Sequence, residues 1–198
     1  MGGATRNAWR PWPTRACTPA AKKSPKAWKE TCEELYRISG VDLTRIDGIQ
    51  VQTAQVVISK VGLDMTRWPD EHCFASWLGL SPNHQITGGK VIRRGTKRVI
   101  NRAATALRLA ARTLHHSKSY LGAKYRRLRA KLGAPKAITA MAHQLARLIY
   151  RLLRFGARYH DKGIEHYERK YRETQMKWLL KQAAQLNMQL IPVHGVIR

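Results

Sequence analysis

The sequence has 198 residues and a net charge of +25, which is enough chain for one domain with a substantial core and an extension. It has no apolar run long enough to span a bilayer and no apolar segment of the kind that a secretory signal needs. Its three cysteines are widely spaced and form no CxxC pair, which argues against a structural zinc site and fits a reducing cytoplasm.

The charge is unevenly distributed along the chain. All twelve acidic residues lie at or before Glu71 or at or after Asp161, whereas nineteen lysines and arginines lie between His72 and His160. Such a one-signed span repels itself unless a polyanion neutralises it, so the composition predicts a nucleic-acid partner. An anionic membrane surface is the rival partner, but the basic helices carry well-formed apolar core faces, and we expect no membrane binding.

Residues 1–26 show no helical or strand periodicity and are predicted to be a disordered basic arm. The arm either binds nucleic acid non-specifically or is an unstructured leader with no role of its own. A short helix is predicted over residues 27–38.

A tight turn, Ile46-Asp47-Gly48-Ile49, precedes an apolar-periodic helix within residues 43–62. The turn resembles a helix-hairpin-helix motif, in which backbone N–H groups contact a phosphate, and it makes Gly48 a candidate binding residue. Gln50 stands where a second glycine is expected, so a plain helix–turn–helix packing unit is the alternative.

A further helix is predicted over residues 70–77, with Trp68, Phe74 and Trp77 in the core. A β-hairpin is predicted over residues 83–93, because two glycines tolerate the positive φ angles of a tight turn. Their missing side chains would also let a bulky partner approach the backbone. A hydroxyl beside such a turn, followed by cations, suits a phosphodiester; the alternative is a hairpin that contacts a nucleic-acid backbone without reacting with it. The residues concerned are Thr87, Gly88, Gly89, Lys90, Arg93, Arg94, Lys97, Arg98 and Arg102.

The clearest predicted helix covers residues 97–114. One arc is apolar and contains Val99, Ile100 and Leu107, while the opposite arc carries Arg98, Arg102, Arg108 and Arg112, with Leu109 as an exception. A solvated face normally mixes signs, so the arginine arc favours phosphate contact over solvation.

Three more helices follow, over residues 120–132, 135–158 and 164–186. The second has a buried side with Leu145 and Ile149, and a basic stripe that is made of His143, Arg147, Arg151, Arg154 and Arg158. The last helix has mixed charges, as an exposed or partner-facing helix does.

The segments GVDLTRIDGIQVQTA, DMTRWPDEHCFASWLGLSPNHQITGGKV, NRAATALRLAARTLHHSKSYLGAKYRRLRAKLGAPKAITAMAHQLARLIY and HYERKYRE closely resemble transposases. The chain is identified as similar to the C-terminal half of the insertion-sequence one-ten family, eleven-eleven subgroup, from about residue 35 to residue 186. The family's reactive serine lies in a Ser-Gly-Gly-Lys motif that matches Thr87-Gly88-Gly89-Lys90, with threonine as a departure.

The resemblance implies a serine that attacks DNA, a structured guide RNA, homo-oligomers, and an N-terminal RuvC-like domain whose DEDD carboxylates bind divalent metal. No such acidic domain occurs in the sequence, so the expectation is a truncated transposase or its remnant. Any divalent metal would belong to that domain, and a DEDD-bearing transposase chain would then be a partner.

The sequence therefore predicts a mainly α fold with a helix-hairpin-helix-like entry and one short β-hairpin. It divides into the arm at 1–26, a nucleic-acid-binding and strand-transfer domain at 27–160, and a C-terminal helix and tail at 161–198. The predicted function is the DNA- and RNA-binding half of a transposase, with Thr87 as candidate nucleophile. The alternatives are a non-catalytic nucleic-acid-binding protein and a ribosome- or RNA-associated basic protein.

Overall fold

The computed structural model describes residues 25–83, 85–93, 95–96, 99–156 and 159–190. These residues form seven α-helices and one two-stranded antiparallel sheet, which confirms the predicted mainly α fold with a short hairpin. The helices are α1 Pro25–Ser39, α2 Val51–Val61, α3 Glu71–Trp77, α4 Arg102–Thr113, α5 Tyr120–Leu132, α6 Ala134–Phe155 and α7 Gly163–Gln185; the strands are β1 Gln85–Thr87 and β2 Lys90–Arg93. Most of the predicted arm and residues 191–198 of the tail lie outside the described residues.

The core is built around α4 and α6, which pack on each other, with α2 against α4 and with α3 and α5 against α6. Leu107 on α4 and Leu145 and Ile149 on α6 are fully buried. The alanines of α4 that share the buried face let the neighbouring helices approach closely. Burying each large aliphatic side chain contributes about 1.5–3 kcal/mol, so this helix pair supplies much of the hydrophobic stabilisation.

The turn before α2 docks onto the end of α4. Gly48 has φ +86°, and a Cβ there would lie 2.7 Å from the carbonyl oxygen of Ala110. The hydroxyl of Ser117 donates to Asp47 Oδ2 at 2.6 Å. These contacts favour the packing-unit interpretation of the turn, and phosphate contact at Gly48 stays a prediction.

An aromatic cluster fixes α3 against α6. The rings of Trp68 and Phe74 meet edge to face with centroids 5.0 Å apart, and Tyr150 on α6 donates its hydroxyl to the Trp68 carbonyl at 2.8 Å. Trp68 and Phe74 are buried, and Trp77 is partly buried against the core, as predicted. Asp70 caps α3 by accepting from the Cys73 N–H at 2.6 Å.

The prediction for the start of α4 is wrong. The helix begins at Arg102 because Asn101 caps it, with Oδ1 accepting from the Ala103 N–H at 2.9 Å. Val99 and Ile100, which were predicted to lie on the buried face, precede the cap and are exposed. A capping asparagine before an apolar-periodic run is a sequence signal for this boundary.

The predicted bounds of the other long helices agree with the structure to within a few residues. The helix α6 ends at Phe155, three residues before the predicted end, because Gly156 adopts a left-handed conformation with φ +60°. The helix α7 contacts α5, where the Arg127 guanidinium lies 3.5 Å from the Tyr171 ring centroid and 5.3 Å from that of Tyr167. No residue of α7 is buried.

Candidate nucleic-acid interface

The hairpin projects from two buried anchors. Leu80, at the end of the α3 segment, is fully buried, and the cap residue Asn101 is also buried. Between them, the N–H of Asn83 donates to the carbonyl of Gly95 at 2.7 Å, and Pro82 forms an isolated bridge with Thr96. The fold therefore fixes both ends of the hairpin and leaves its tip in solvent.

The tip has the geometry that its two glycines require. Gly88 has φ +56° and Gly89 has φ +76°, as in a two-residue turn with positive φ at both central positions. A Cβ at either glycine would meet nothing within 4 Å, so backbone conformation, rather than crowding, favours glycine there. The predicted hairpin is confirmed, and a partner can approach its backbone without displacing protein.

Thr87 and Lys90 flank the turn and face each other across it. They are paired in the register of the two strands, so their side chains lie on one face of the hairpin, and both are exposed. Among the described residues, no group hydrogen-bonds to the Thr87 hydroxyl. The arrangement presents a hydroxyl and an ammonium side by side to solvent, where both groups could contact the oxygens of a phosphodiester.

The arginines of α4 lie on the side of the helix away from the core. Arg102 and Arg112 are exposed and Arg108 is half-buried. None of the three makes an ion pair within 4 Å or a hydrogen bond through its guanidinium to a residue that the structure describes. Their charges are left to solvent or to a ligand. The predicted arc is confirmed as a surface from Arg102 to Arg112, and its contact with phosphate stays a prediction.

The basic stripe of α6 has a different environment. Arg147 and Arg151 both donate to the carboxylate of Glu71, the first residue of α3, whose side chain is only 11% exposed. Burial raises the pKa of Glu71, but the hydrogen bonds from Arg151 and Arg147 outweigh it, and the pKa lies below its ordinary value. We call these three residues the α3–α6 clamp. It gives the two arginines a structural role that the sequence interpretation missed.

The other described members of the α6 stripe, His143 and Arg154, also differ from each other in their surroundings. Burial, together with the charge of Arg147, lowers the pKa of His143, which disfavours the charged imidazolium. Arg154 is exposed and forms no ion pair within 4 Å with a described residue. From His143 to Arg154 the predicted stripe therefore follows the surface of α6 without being a continuous line of available charge.

Several predicted site residues cannot be placed. Arg94, Lys97, Arg98 and Arg158 lie outside the described residues, and for Arg93 only the backbone in β2 is described.

One surface near the predicted site was missed: Ile86 and Val91, which pair across the strands and form the other face of the hairpin. The alternation of polar and apolar residues in β1, with Ile86 between Gln85 and Thr87, was the available signal.

No group of three His, Cys, Asp or Glu side chains that could hold a metal ion occurs in the described ranges. Within the same part of the chain, none of the helices has the length and apolar character needed to cross a bilayer.

Residues 42–126 match the family model described as transposase, IS116/IS110/IS902 family. The matched segment begins just before the 3-10 turn Leu43–Arg45, includes the hairpin and all of α4, and ends within α5. It is shorter than the resemblance predicted from the sequence, and it is consistent with the C-terminal half of such a transposase. No curated protein matches the chain.

Proposed function

We propose, from the match of residues 42–126 to the family model of IS116/IS110/IS902 transposases, that the chain is the DNA- and RNA-binding, strand-transfer part of an insertion-sequence transposase. The family match supports a role in transposition and recombination. The finer assignments rest on the surface that carries the hairpin and the arginines of α4.

The observation that carries the proposal is the hairpin tip within the matched segment. Thr87 holds a hydroxyl on an exposed, fixed turn, and Lys90 lies directly opposite it. An ammonium beside a reacting phosphodiester would stabilise the negative charge that develops on the phosphate oxygens. Thr87 is accordingly the candidate nucleophile, and the glycine backbone lets the DNA strand approach.

Activation of the hydroxyl is the step that the hairpin does not supply by itself. A hydroxyl becomes an effective nucleophile when a base or a metal removes its proton. The sequence has no Asp or Glu between His72 and His160. The proposal therefore assigns activation to carboxylates outside the hairpin region, with a divalent metal held by a DEDD set of a partner transposase chain.

The second candidate function is nucleic-acid binding without chemistry. Two observations favour it: the Thr87 methyl group, which restricts χ1 and crowds the line of attack, and the absence of a hydrogen-bonding partner for its hydroxyl among the residues described. Under both candidates the same basic surface binds DNA and a structured RNA, and they differ only in whether a covalent adduct forms.

Filter binding to a short DNA duplex and to a folded RNA at several salt concentrations tests the shared part of the proposal. Each phosphate that the protein neutralises on B-DNA should steepen the slope of log affinity against log salt by about 0.9. We expect a strong salt dependence with both nucleic acids. A flat salt response, or no binding at low salt, would exclude the nucleic-acid role.

A further inference from the structure

The second face of the hairpin is apolar and exposed. Ile86 is 62% exposed and Val91 is 40% exposed, and the strand register places them directly opposite each other. Ile92, which is 70% exposed, follows Val91 at a register shift between the two strands. Exposed apolar side chains that lie side by side on one face are a candidate interaction site.

The charge around this face restricts its partner. Acidic residues are absent from the whole span between His72 and His160, and the hairpin strands carry Lys90 and Arg93. A second copy docking by the same face would bring cations against cations, which is unfavourable. The partner must offer negative charge beside apolar surface, and duplex DNA does so with phosphates that flank stacked bases.

We propose that Ile86 and Val91 form a wedge that enters between adjacent base pairs of duplex DNA, while the long side chain of Lys90 reaches a flanking phosphate. The inference rests on the proposed DNA-binding function and adds to it the part of the DNA that the hairpin contacts. Aliphatic side chains act in this way in proteins that bend DNA, where unstacking a base step costs a few kcal/mol. A two-stranded ribbon is also narrow enough to enter a DNA groove.

A wedge should favour DNA in which the base step is already weakened. The test compares a fully paired duplex with the same duplex carrying one central mismatch and an adjacent 2-aminopurine, whose fluorescence rises when it unstacks. We expect the native protein to bind the mismatched duplex about tenfold more tightly, because part of the unstacking has already occurred. Binding should also raise the fluorescence.

The decisive variant is Ile86→Thr with Val91→Thr, which keeps β-branched side chains in both strands and removes the apolar tips. It should lose the mismatch preference and the fluorescence increase while keeping the salt slope. Lys90→Gln should do the opposite, lowering the salt slope by about 0.9 and keeping the preference. The control, Met176→Gln with Leu180→Gln, removes two exposed apolar side chains from α7 and should change neither property.

Each other outcome has a definite meaning. If the native protein binds both duplexes equally with a steep salt slope, the wedge is wrong and the proposed function stands. If it binds neither, the proposed function fails as well. If the Ile86→Thr, Val91→Thr variant keeps the preference, or if it changes the sedimenting mass of the DNA-free protein, the face is not a DNA wedge. Circular dichroism melting confirms that each variant is folded before it is compared.

Discussion

The helices α4 and α6 have similar patterns, since each buries an apolar side and carries arginines on the other, but their arginines have different surroundings. On α6, Arg147 and Arg151 share the carboxylate of Glu71. On α4, Arg102 and Arg112 are exposed and have no acidic partner among the residues described. A basic stripe in a sequence thus identifies a helix surface, while the position of the few acidic residues decides whether its charge is available to a ligand.

The first prediction concerns the buried side of α4, opposite its arginines, and has the largest expected effect. Leu107 is fully buried in the core beneath the arginines of α4. The substitution Leu107→Ala should lower the free energy of unfolding by about 2–5 kcal/mol, because it removes apolar contacts and leaves a cavity. Urea denaturation measures the loss.

DNA affinity, measured under conditions where the Leu107→Ala variant remains folded, should stay close to that of the native protein. Leu109→Ala is the matched control, since the same change is made on the exposed side of the same helix. A loss below about 1 kcal/mol at Leu107 would contradict the assigned packing of α4.

The second prediction concerns the available charges of α4. Changing Arg102, Arg108 and Arg112 together to Gln should leave the melting temperature almost unchanged and weaken DNA binding by roughly ten- to a hundredfold. The salt slope should fall by about 0.9 for each arginine that contacts a phosphate. Filter binding at several salt concentrations beside thermal melting provides both measurements.

The control for these arginines removes the same number of charges from α7, with Arg169→Gln, Arg172→Gln and Lys177→Gln. If the α4 and α7 variants lose equal affinity, only net charge matters and no arginine surface exists. If the α4 variant unfolds, its arginines are structural, as those of the α3–α6 clamp are.

The third prediction concerns the clamp. Glu71→Gln should lower the free energy of unfolding at neutral pH by roughly 1 kcal/mol, because it leaves two arginines without their anion, although the exposure of Arg151 limits the effect. The folded-state pKa of Glu71 is lowered, so its stabilisation is present above the ordinary carboxyl pKa and is lost as pH falls through the lowered value.

Denaturation curves of the native protein and the Glu71→Gln variant should accordingly differ at neutral pH and converge in acid. Glu34→Gln is the control, since Glu34 pairs with Arg37 on an exposed surface where little stability is expected. A Glu71 effect that stayed constant down to strongly acidic pH would show that the carboxylate charge is not what holds the clamp.

The sequence predicted local features well where one physical cause dominates. Periodicity located α4, apart from its start, and α6, and the two adjacent glycines located the hairpin turn. The same reasoning failed where a distant residue decides the outcome. Glu71 lies 76 residues before Arg147 in the chain, and no local pattern links them. The buried position of Asn101, which sets the start of α4, likewise depends on packing.

The candidate site was predicted only in part, because some of its features depend on packing between distant parts of the chain. Thr87 and Lys90 were both predicted as site residues on either side of the turn, and the strand register pairs them. The exposure of Ile86 depends on which elements cover the hairpin, and this is decided by the arrangement of the helices. Sequence reasoning therefore identified the face of the hairpin that carries Thr87 and Lys90 and missed its apolar face.

The last prediction concerns chemistry at Thr87, where we expect the smallest change. The native chain alone should form no covalent adduct with DNA, because no carboxylate in its hairpin region can act as a base and the β-methyl group hinders in-line attack. A denaturing gel with end-labelled DNA detects protein-linked strands.

Adding a DEDD-bearing partner from a related transposase with divalent metal should restore a small signal, and Thr87→Ser should then increase it because the methyl group is removed. Thr87→Ala should abolish that signal, whereas Thr105→Ala, which removes a hydroxyl from α4 instead, should leave it unchanged. A strong adduct from the native chain alone would show that the hydroxyl is activated within this chain, and an adduct that survives Thr87→Ala would place the nucleophile at another residue.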